Sequence, residues 1–304
     1  MNNHVLYNKK LFLEQVTEKL GAYPIDYAEK IQTIREMGNP PDPHLQAGVL
    51  LLLYFRENKP LGKENPLSPP FGKGGLGGFS NETEGEFFFR LIRRSHRVAQ
   101  AGDLACPGGM LHAKWDLPLK KLITSGLIPL LRNKAGWHAR RRDSRTYHAV
   151  ALFLANAARE AWEEIRLNPF RLLFLGPLPS YSLHLFRRTI FPIVGFVNSG
   201  HFSRPHYEVE RLVDIPVLAF FQQENYGTLT TTTDSGLRPS GNSSEALPCL
   251  IYMDPAGREN VLWGATFSII ASFLKIVFDF QIPQAQTGFA VNKTLDAHYV
   301  SGKR

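Results

Sequence analysis

The sequence predicts an α+β fold in which a mixed sheet is covered by helices on both faces. Residues 47–55 form an uninterrupted apolar run, which is typical of a strand buried on both of its faces. Residues 147–167 and 266–278 instead carry apolar side chains at helical spacing, and shorter apolar runs that predict strands lie between them. Strands interleaved with two substantial helices indicate a sheet packed between helical layers.

The composition fits a folded protein that binds anionic partners. Of the 304 residues, 43% are hydrophobic and 20% are charged, which is ordinary for a chain that buries a large core. The formal net charge of +8 favours anionic partners, whether nucleotides, acyl-carrier molecules, nucleic acid or a membrane surface. The sequence has neither a basic low-complexity tail nor an aromatic–basic repeat, so nucleic acid is not an expected partner.

Cysteine content and the first residues predict a cytoplasmic protein without a membrane span. The two cysteines, Cys106 and Cys249, exclude a disulfide-rich scaffold and fit a reducing compartment. The polar amino terminus lacks the order of a signal peptide, and the apolar runs 47–55 and 267–280 are shorter than a bilayer span. Cys106 has no basic partner at a known spacing, so we expect a buried apolar role for it rather than a nucleophilic one.

The chain divides into an extension, a central domain and a tail. Residues 1–44 are predicted to be an N-terminal helical extension, because helical periodicity over 9–37 ends in a cluster of helix breakers at 38–43. Residues 45–280 are the predicted central domain, and residues 281–304 are a predicted C-terminal tail.

Three loop insertions are predicted within the central domain, at about 57–84, 110–146 and 224–247. The first is rich in Gly and Pro and cannot continue a strand or a helix. The third is rich in Thr, Ser and Gly, as a hairpin loop is. The second contains the basic run 140–142, which is either a solvated charge run or a site for a polyanionic substrate tail. The roles of the first and second insertions stay open.

The other elements of the central domain follow from apolar runs between turn signals. Residues 86–93 predict a strand that pairs antiparallel with 47–55, and the run Pro107-Gly108-Gly109 predicts a tight turn after it. A strand and turn over 209–221 and further strands are predicted at 172–174, 191–197, 248–252 and 259–263.

Three carboxylates share one face of the predicted helix 147–167. Glu160, Glu163 and Glu164 fall at i, i+3 and i+4, and Arg159 is the basic residue of this run. Like charges this close repel one another unless they are well solvated or hold a divalent cation. Oxygen ligands suit Mg²⁺ or Mn²⁺, which commonly bind substrate phosphates as well. Taken alone, a solvated acidic face is the more common explanation of such a run.

The order of these parts resembles the Nudix hydrolase superfamily. A strand, a Gly-Gly turn, a helix with Arg-Glu-x-x-Glu-Glu and a Pro-rich connector into another strand follow one another here. The family's box is G-x5-E-x7-R-E-U-x-E-E-x-G-U, with U an apolar residue. Gly109 matches its glycine, the run 159–164 matches its later positions, and Leu167 matches its last one.

The resemblance extends over about residues 45–275 and is strongest to the coenzyme A diphosphatase-like branch. That branch has a strand ending in Arg-Ser, a later glycine and Phe-Pro-Gly-Gly, followed downstream by a Pro-Val-Val-Gly strand. The matching segments here are Arg94-Ser95, Gly102, Cys106-Pro107-Gly108-Gly109, Pro192-Ile193-Val194-Gly195 and Trp263-Gly264-Ala265-Thr266. The resemblance implies a Nudix-like α/β/α sandwich.

The sequence departs from the family pattern at several positions. Residues 110–158 separate Gly109 from Arg159, so a large insertion splits the box. Counted back from Arg159, the first glutamate of the box falls on Ala151, and the final glycine falls on Arg166. Upstream, Cys106 stands where the branch has Phe.

The resemblance implies a metal centre on the acidic helix. Glu160, Glu163 and Glu164 match the family's core ligands for Mg²⁺ or Mn²⁺, which neutralises diphosphate oxygens and lowers the pKa of a bound water. Arg159 matches a residue that orients one of these glutamates by a charged hydrogen bond. These four residues are the expected catalytic residues.

A second group of residues is expected to meet the substrate. Gly108 and Gly109 let the loop pass close to the helix and its ions. Arg94, at the end of a strand, is expected to contact phosphate. The general base is left unassigned.

The predicted function is divalent-metal-dependent hydrolysis of a diphosphate linkage in a small-molecule nucleoside-diphosphate derivative. Coenzyme A or an acyl derivative is the leading substrate, giving phosphopantetheine and adenosine 3′,5′-bisphosphate. Because the upstream motif is altered, a nucleotide sugar or a dinucleotide is an alternative substrate. The lost glutamate and Arg166 motivate another alternative, a catalytically weak nucleotide-binding module. The oligomeric state stays open, a homodimer included.

Overall fold

The computed structural model describes residues 4–38, 43–57, 85–183, 187–198, 206–233, 245–283 and 290–295. The predicted insertion at 57–84 lies outside the described residues except for its first residue, and so does the middle of the insertion at 224–247.

The described residues form an α+β structure, as predicted. Its α-helices are α1 (His4–Tyr7), α2 (Lys9–Ala22), α3 (Tyr27–Glu36), α4 (Ala113–Thr124), α5 (Lys134–Arg140), α6 (Ser144–Ile165) and α7 (Gly264–Phe278). Its strands are β1 (Leu45–Glu57), β2 (Gly85–Arg94), β3 (Leu104–Ala105), β4 (Gly108–Met110), β5 (Leu173–Pro177), β6 (Tyr181–Leu183), β7 (Arg188–Val197), β8 (Val209–Pro216), β9 (Tyr226–Thr233), β10 (Glu245–Met253), β11 (Glu259–Leu262) and β12 (Ala290–Leu295).

The strands β1 to β8 form one mixed sheet with β1 at its centre. β1 pairs antiparallel with β2 and β4, and parallel with β7. β3 and β8 extend the sheet from β2, whereas β5 and β6 extend it from β7. The side chains of Leu50 to Leu53 in β1 are fully buried, which confirms a strand covered on both faces.

Helix α6 covers one face of this sheet. Asp143 caps its amino terminus by accepting the Thr146 N–H at 3.0 Å, and the helix ends at Arg166, whose φ of 56° is left-handed. Its apolar side packs on β1 and β7, where the ring of Phe153 stacks on that of Phe191 at 3.8 Å. The predicted helix 147–167 therefore exists, and it begins three residues earlier because Asp143 supplies the cap.

The insertion predicted at 110–146 is a packed part of the same helical layer. It contains α4 and α5, and its buried side chains Ile123, Leu131 and Ala139 belong to the core beneath α6. The sequence predicted a loop insertion here. The structure differs because α4 brings apolar side chains such as that of Ile123 to the core.

The N-terminal helices, α7 and a second sheet complete the structure. β9 to β12 form a four-stranded sheet in the order β11-β10-β9-β12, so part of the predicted tail 281–304 is a strand. On the face of the central sheet opposite to α6, the Phe12 ring of α2 packs on that of Phe87 at 3.7 Å. α3 instead joins the face of α6, where Tyr27 meets Phe153 and Phe191. Among the described helices, none combines the length and apolarity needed to cross a membrane.

Arg142 holds the end of α2 against the rest of the protein. Its Nη2 donates to the carbonyl oxygens of Leu20, Gly21 and Tyr23 at 3.0, 3.1 and 2.8 Å. Carbonyl oxygens at the carboxyl end of a helix lack an N–H donor within the helix, so the guanidinium caps this end of α2. One member of the basic run 140–142 is therefore a structural cap.

We predict that Arg142→Ala lowers the free energy of unfolding by about 2 kcal/mol, because it removes charge-assisted hydrogen bonds from three carbonyls. Urea denaturation followed by circular dichroism measures this change. Arg140→Ala is the matched control, since Arg140 is exposed, and its effect should stay within about 0.5 kcal/mol. Equal losses in the two variants would contradict the capping role.

Candidate functional site

A cleft of about 600 Å³ opens between the central sheet, the second sheet and the amino-terminal end of α7. Its wall on the central sheet includes Val49 and Ile190, and its opposite wall includes Leu247 and Phe267. β3 and β4 form its rim next to α6. Residues from distant parts of the chain therefore meet in one concavity of the size that binds small ligands.

The predicted Gly-Gly turn and the acidic helix meet at this rim. The N–H of Gly108 donates to Oε2 of Glu164 at 2.9 Å. A Cβ atom on Gly109 would lie 2.5 Å from Cδ of Glu160, and one on Gly108 would lie 2.5 Å from the carbonyl oxygen of Gly48. Glycine is needed at position 108 because a side chain there would meet the backbone of β1, and a side chain at position 109 would displace the carboxylate of Glu160.

Glu160 and Glu164 line the cleft, and both carboxyl groups are poorly solvated. Glu164 is 6% exposed, and its pKa is raised to about 8, chiefly by burial and also by the charges of Glu160 and Glu208. The hydrogen bond from Gly108 and the charge of Arg94 oppose this rise. Burial also raises the pKa of Glu160, although Arg159 opposes the shift. Two mutually repelling carboxylates thus share a site with little water.

Glu163 occupies a different position from its two neighbours. Its side chain is half exposed and accepts a hydrogen bond from Nη1 of Arg159 at 3.0 Å. It is not among the residues that line the cleft. The structure therefore brings together two of the three predicted glutamates and leaves the third outside, next to Arg159.

Arg159 contacts three carboxylates at once. Its Nε donates to Oδ1 of Asp116 at 2.7 Å, and its Nη2 donates to Oε1 of Glu160 at the same distance. With the bond to Glu163, the guanidinium spans the acidic face of α6. Its geometry is that of a residue that fixes the carboxylate of Glu160 at the edge of the cleft.

Asp116, in helix α4, is the buried partner that the sequence did not reveal. It is fully buried and accepts the N–H of His112 at 2.6 Å and Nδ2 of Asn156 at 3.0 Å, besides Arg159. The spacing from Gly109 could have indicated it. When the family's box is counted forward from Gly109, its first glutamate falls on Trp115, the residue just before Asp116. Counting back from Arg159 places that glutamate on Ala151 instead.

Further charged residues line the cleft away from the acidic helix. Arg94, predicted to contact phosphate, lies on the wall with its Nε bonded to the carbonyl oxygen of Ala99 at 2.9 Å. Arg188 and Glu208 lie on the wall as well. The sequence did not predict a role for either of them, because neither belongs to a recognisable motif.

Cys106 also lines the cleft, next to the turn. Burial, together with the charge of Glu164, raises the pKa of its thiol to about 12. A thiol with such a pKa is not ionised near neutrality and is a poor nucleophile. The interpretation of Cys106 as a buried small apolar residue agrees with this environment.

The donors at the rim suit a hard divalent cation only in part. Carboxylate oxygens are the ligands that Mg²⁺ and Mn²⁺ prefer, and Mg²⁺ is commonly held by one or two carboxylates together with substrate phosphates. Glu160 and Glu164 fit this pattern. Across the part of the chain that the structure describes, no group of three or more His, Cys, Asp or Glu side chains could hold a metal by itself. A divalent cation held by the two glutamates would complete its coordination with water or substrate oxygens.

Comparison with known proteins gives little further information. No protein-family model matches the chain, and no curated protein matches it. One of the solved structures that it matches is a NUDIX hydrolase from Alicyclobacillus acidocaldarius, with 11% sequence identity and a TM-score of 0.31. The match covers 58% of this chain and 81% of that chain. An identity and a TM-score this low leave the family of the chain open.

We predict that Asp116→Ala lowers the free energy of unfolding by about 3 kcal/mol, because it leaves the largely buried Arg159 guanidinium without its innermost partner. Arg159→Ala and the double variant complete a thermodynamic cycle by urea denaturation. The double variant should be more stable than the sum of the single losses implies, by at least about 1 kcal/mol.

Glu163→Ala is the matched control, since its pair with Arg159 is half exposed and should contribute less than about 1 kcal/mol. Additive losses for Asp116 and Arg159 would mean that the two side chains are not coupled.

Proposed function

We propose that the protein is a divalent-metal-dependent hydrolase that cleaves a diphosphate linkage in a nucleoside-diphosphate derivative, as a Nudix-like enzyme. The observation that carries the proposal is the pair Glu160 and Glu164 on the wall of the cleft, held beside the close-packed glycines 108 and 109. Arg94 on the same wall adds a cation for the phosphate groups.

The remainder of the cleft supports a nucleotide derivative as substrate. Its volume of about 600 Å³ lies within the usual range for small-molecule sites. The walls combine charged groups near α6 with apolar side chains such as Ile190, Leu247 and Phe267. Coenzyme A or an acyl derivative is the leading candidate, because it joins a diphosphate to a nucleoside and to a long, less polar arm.

The chain's own residues prepare the site for this reaction. Arg159 fixes the carboxylate of Glu160, and the N–H of Gly108 fixes that of Glu164. Glu160 and Glu164 would hold a Mg²⁺ or Mn²⁺ ion, whose chemistry would be neutralisation of diphosphate oxygens and activation of water. Arg94 is proposed to bind a phosphate oxygen. Positioning and charge stabilisation of this kind are most of what phosphoryl chemistry requires.

A nucleotide-binding module with weak catalysis is the second candidate. The position of Glu163 favours it, since this side chain is bonded to Arg159 and lies outside the cleft. A site with two carboxylates at its rim binds a metal less tightly than a site with three. This function predicts nucleotide binding without turnover.

The substrate assay separates these functions. Coenzyme A, acetyl-coenzyme A, a nucleotide sugar and a dinucleotide are incubated with the protein in Mg²⁺, in Mn²⁺ and in chelator, and the products are separated by chromatography. We expect metal-dependent release of phosphopantetheine and adenosine 3′,5′-bisphosphate from coenzyme A. Another product pair would change the substrate, whereas binding without products would favour the module.

We predict that Glu160→Gln and Glu164→Gln each reduce kcat/KM by at least about 100-fold, because each removes a negative oxygen from the proposed metal site. Glu163→Gln should reduce it by less than about tenfold while Glu163 stays outside the cleft. Steady-state kinetics on the best substrate measures the three effects. An equally large loss for Glu163→Gln would instead restore its predicted role as a third ligand.

Two controls separate loss of chemistry from loss of fold. Glutamine at position 164 still accepts the N–H of Gly108, so the melting temperature of Glu164→Gln should not fall. Glu36→Gln, on the exposed side of α3, should leave kcat/KM unchanged. A variant that lost activity and also had a lower melting temperature would not support the role of that glutamate in the proposed metal site.

A further inference from the structure

The start of β7 forces the side chain of Arg188 into the cleft. Alternate residues of a strand share a face, so Arg188 and Ile190 point to the same side, and both line the cleft. Thr189 between them points to the opposite side, where it is 1% exposed and bonds to Nε2 of His44 at 2.9 Å. Pairing of β7 with β1 and β6 on either side of Arg188 fixes this register.

Arg188 reaches the cleft without a partner among the described residues. Its Nε atom is buried and has no hydrogen-bond acceptor, and no ion pair joins its guanidinium to a carboxylate of the described chain. Other arginines near the central sheet are paired, as Arg90 is with Asp214 and Arg159 is with Asp116. A guanidinium has five N–H donors, and the buried Nε–H of Arg188 is costly to leave without an acceptor unless a ligand supplies one.

A second cation, Arg94, lines the same cleft as Arg188. Burial lowers the pKa of Arg188, and the neighbouring charge of Arg94 lowers it further. The charge of Arg94 also acts on Glu164, so Arg94 lies within electrostatic reach of both the acidic rim and Arg188. Two guanidinium groups on one wall repel each other, and an anion bound between them would attract both and offset this repulsion.

We propose that Arg188, together with Arg94, forms an anion subsite that binds a phosphomonoester of the substrate in addition to the diphosphate that is cleaved. This inference rests on the proposed function for the position of the diphosphate, beside Glu160 and Glu164. Arg94 lies within reach of that position, and Arg188 adds a second planar donor fork that matches phosphate oxygens. The substrate class is therefore a nucleoside diphosphate derivative that carries a separate phosphate, such as a 3′-phosphate on the ribose.

Calorimetry on the metal-free protein tests the subsite without turnover. The probes are adenosine 3′,5′-bisphosphate and adenosine 5′-monophosphate, which differ by one phosphomonoester. We expect the unaltered protein to bind the bisphosphate at least about tenfold more tightly. Arg188→Gln should reduce this preference to about twofold or less, and Arg188→Lys should retain part of it as a point charge.

Arg140→Gln is the matched control, because Arg140 is an exposed cation away from the cleft, and it should leave the preference unchanged. Arg188→Gln removes a cation without a partner, so its melting temperature should stay the same or rise. A structural role would lower it instead.

The results distinguish failure of the subsite from failure of the proposed function. A full preference for the bisphosphate in Arg188→Gln, or equal binding of both probes by the unaltered protein, would overturn the subsite. An Arg188-dependent preference in a protein that hydrolyses no diphosphate would support the subsite and remove the proposed function. If hydrolysis is observed, the kcat/KM ratio of coenzyme A to dephospho-coenzyme A should fall towards one in Arg188→Gln.

Discussion

A buried amide, that of Asn156, joins the parts of the molecule on which the site depends. Its Oδ1 accepts the N–H of Gly48 in β1 at 2.6 Å, and its Nδ2 donates to the carbonyl oxygen of Met110 and to Asp116. The central strand, the short strand β4, α4 and α6 are therefore tied together at one point. Because this point is fully buried, loss of any one bond would leave a polar group without a partner. The position of Arg159, and through it that of Glu160, follows from this arrangement.

The cleft concentrates unfavourable electrostatic interactions. Outside it, the buried guanidinium of Arg90 is paired with Asp214. In the cleft, the carboxyl group of Glu164 is buried beside another carboxylate, and Arg188 lies next to Arg94. Unfavourable terms of this kind are common at binding sites, where the ligand supplies the missing opposite charge. The separation into an acidic rim and a basic wall matches a metal–phosphate ligand better than a neutral one.

The parts of the fold that depend on local periodicity could be predicted from the sequence. β1 and α6 were predicted because a doubly buried strand and an amphipathic helix each leave a clear pattern. The sequence did not predict that segment 110–146 is packed, because its apolar side chains are buried only through contact with the core beneath α6. The contact between Asp116 and Arg159 joins residues 43 apart in the chain, and no local pattern reports such a contact. Arg188 left no signal either, since a single arginine at a strand end is ordinary.

The acidic triplet shows how far helical spacing alone can lead. Residues along a helix are separated by about 100° around its axis, so Glu160 and Glu164 lie about 40° apart. Glu163 lies about 100° from Glu164 by the same count, at the edge of what a single face includes. The sequence placed all three on one face, and the decisive factor was Arg159, which draws Glu163 to its own side.

The burial of Asp116 has a consequence for shortening the chain. Segment 110–146 lies between Gly109 and Arg159 in the sequence and supplies the innermost partner of that arginine. Excising the segment would shorten the connection between the two halves of the site and at the same time strip the guanidinium of its buried counter-charge. A shortened chain would therefore need an acidic residue from elsewhere in place of Asp116 to keep Arg159, and with it Glu160, in position.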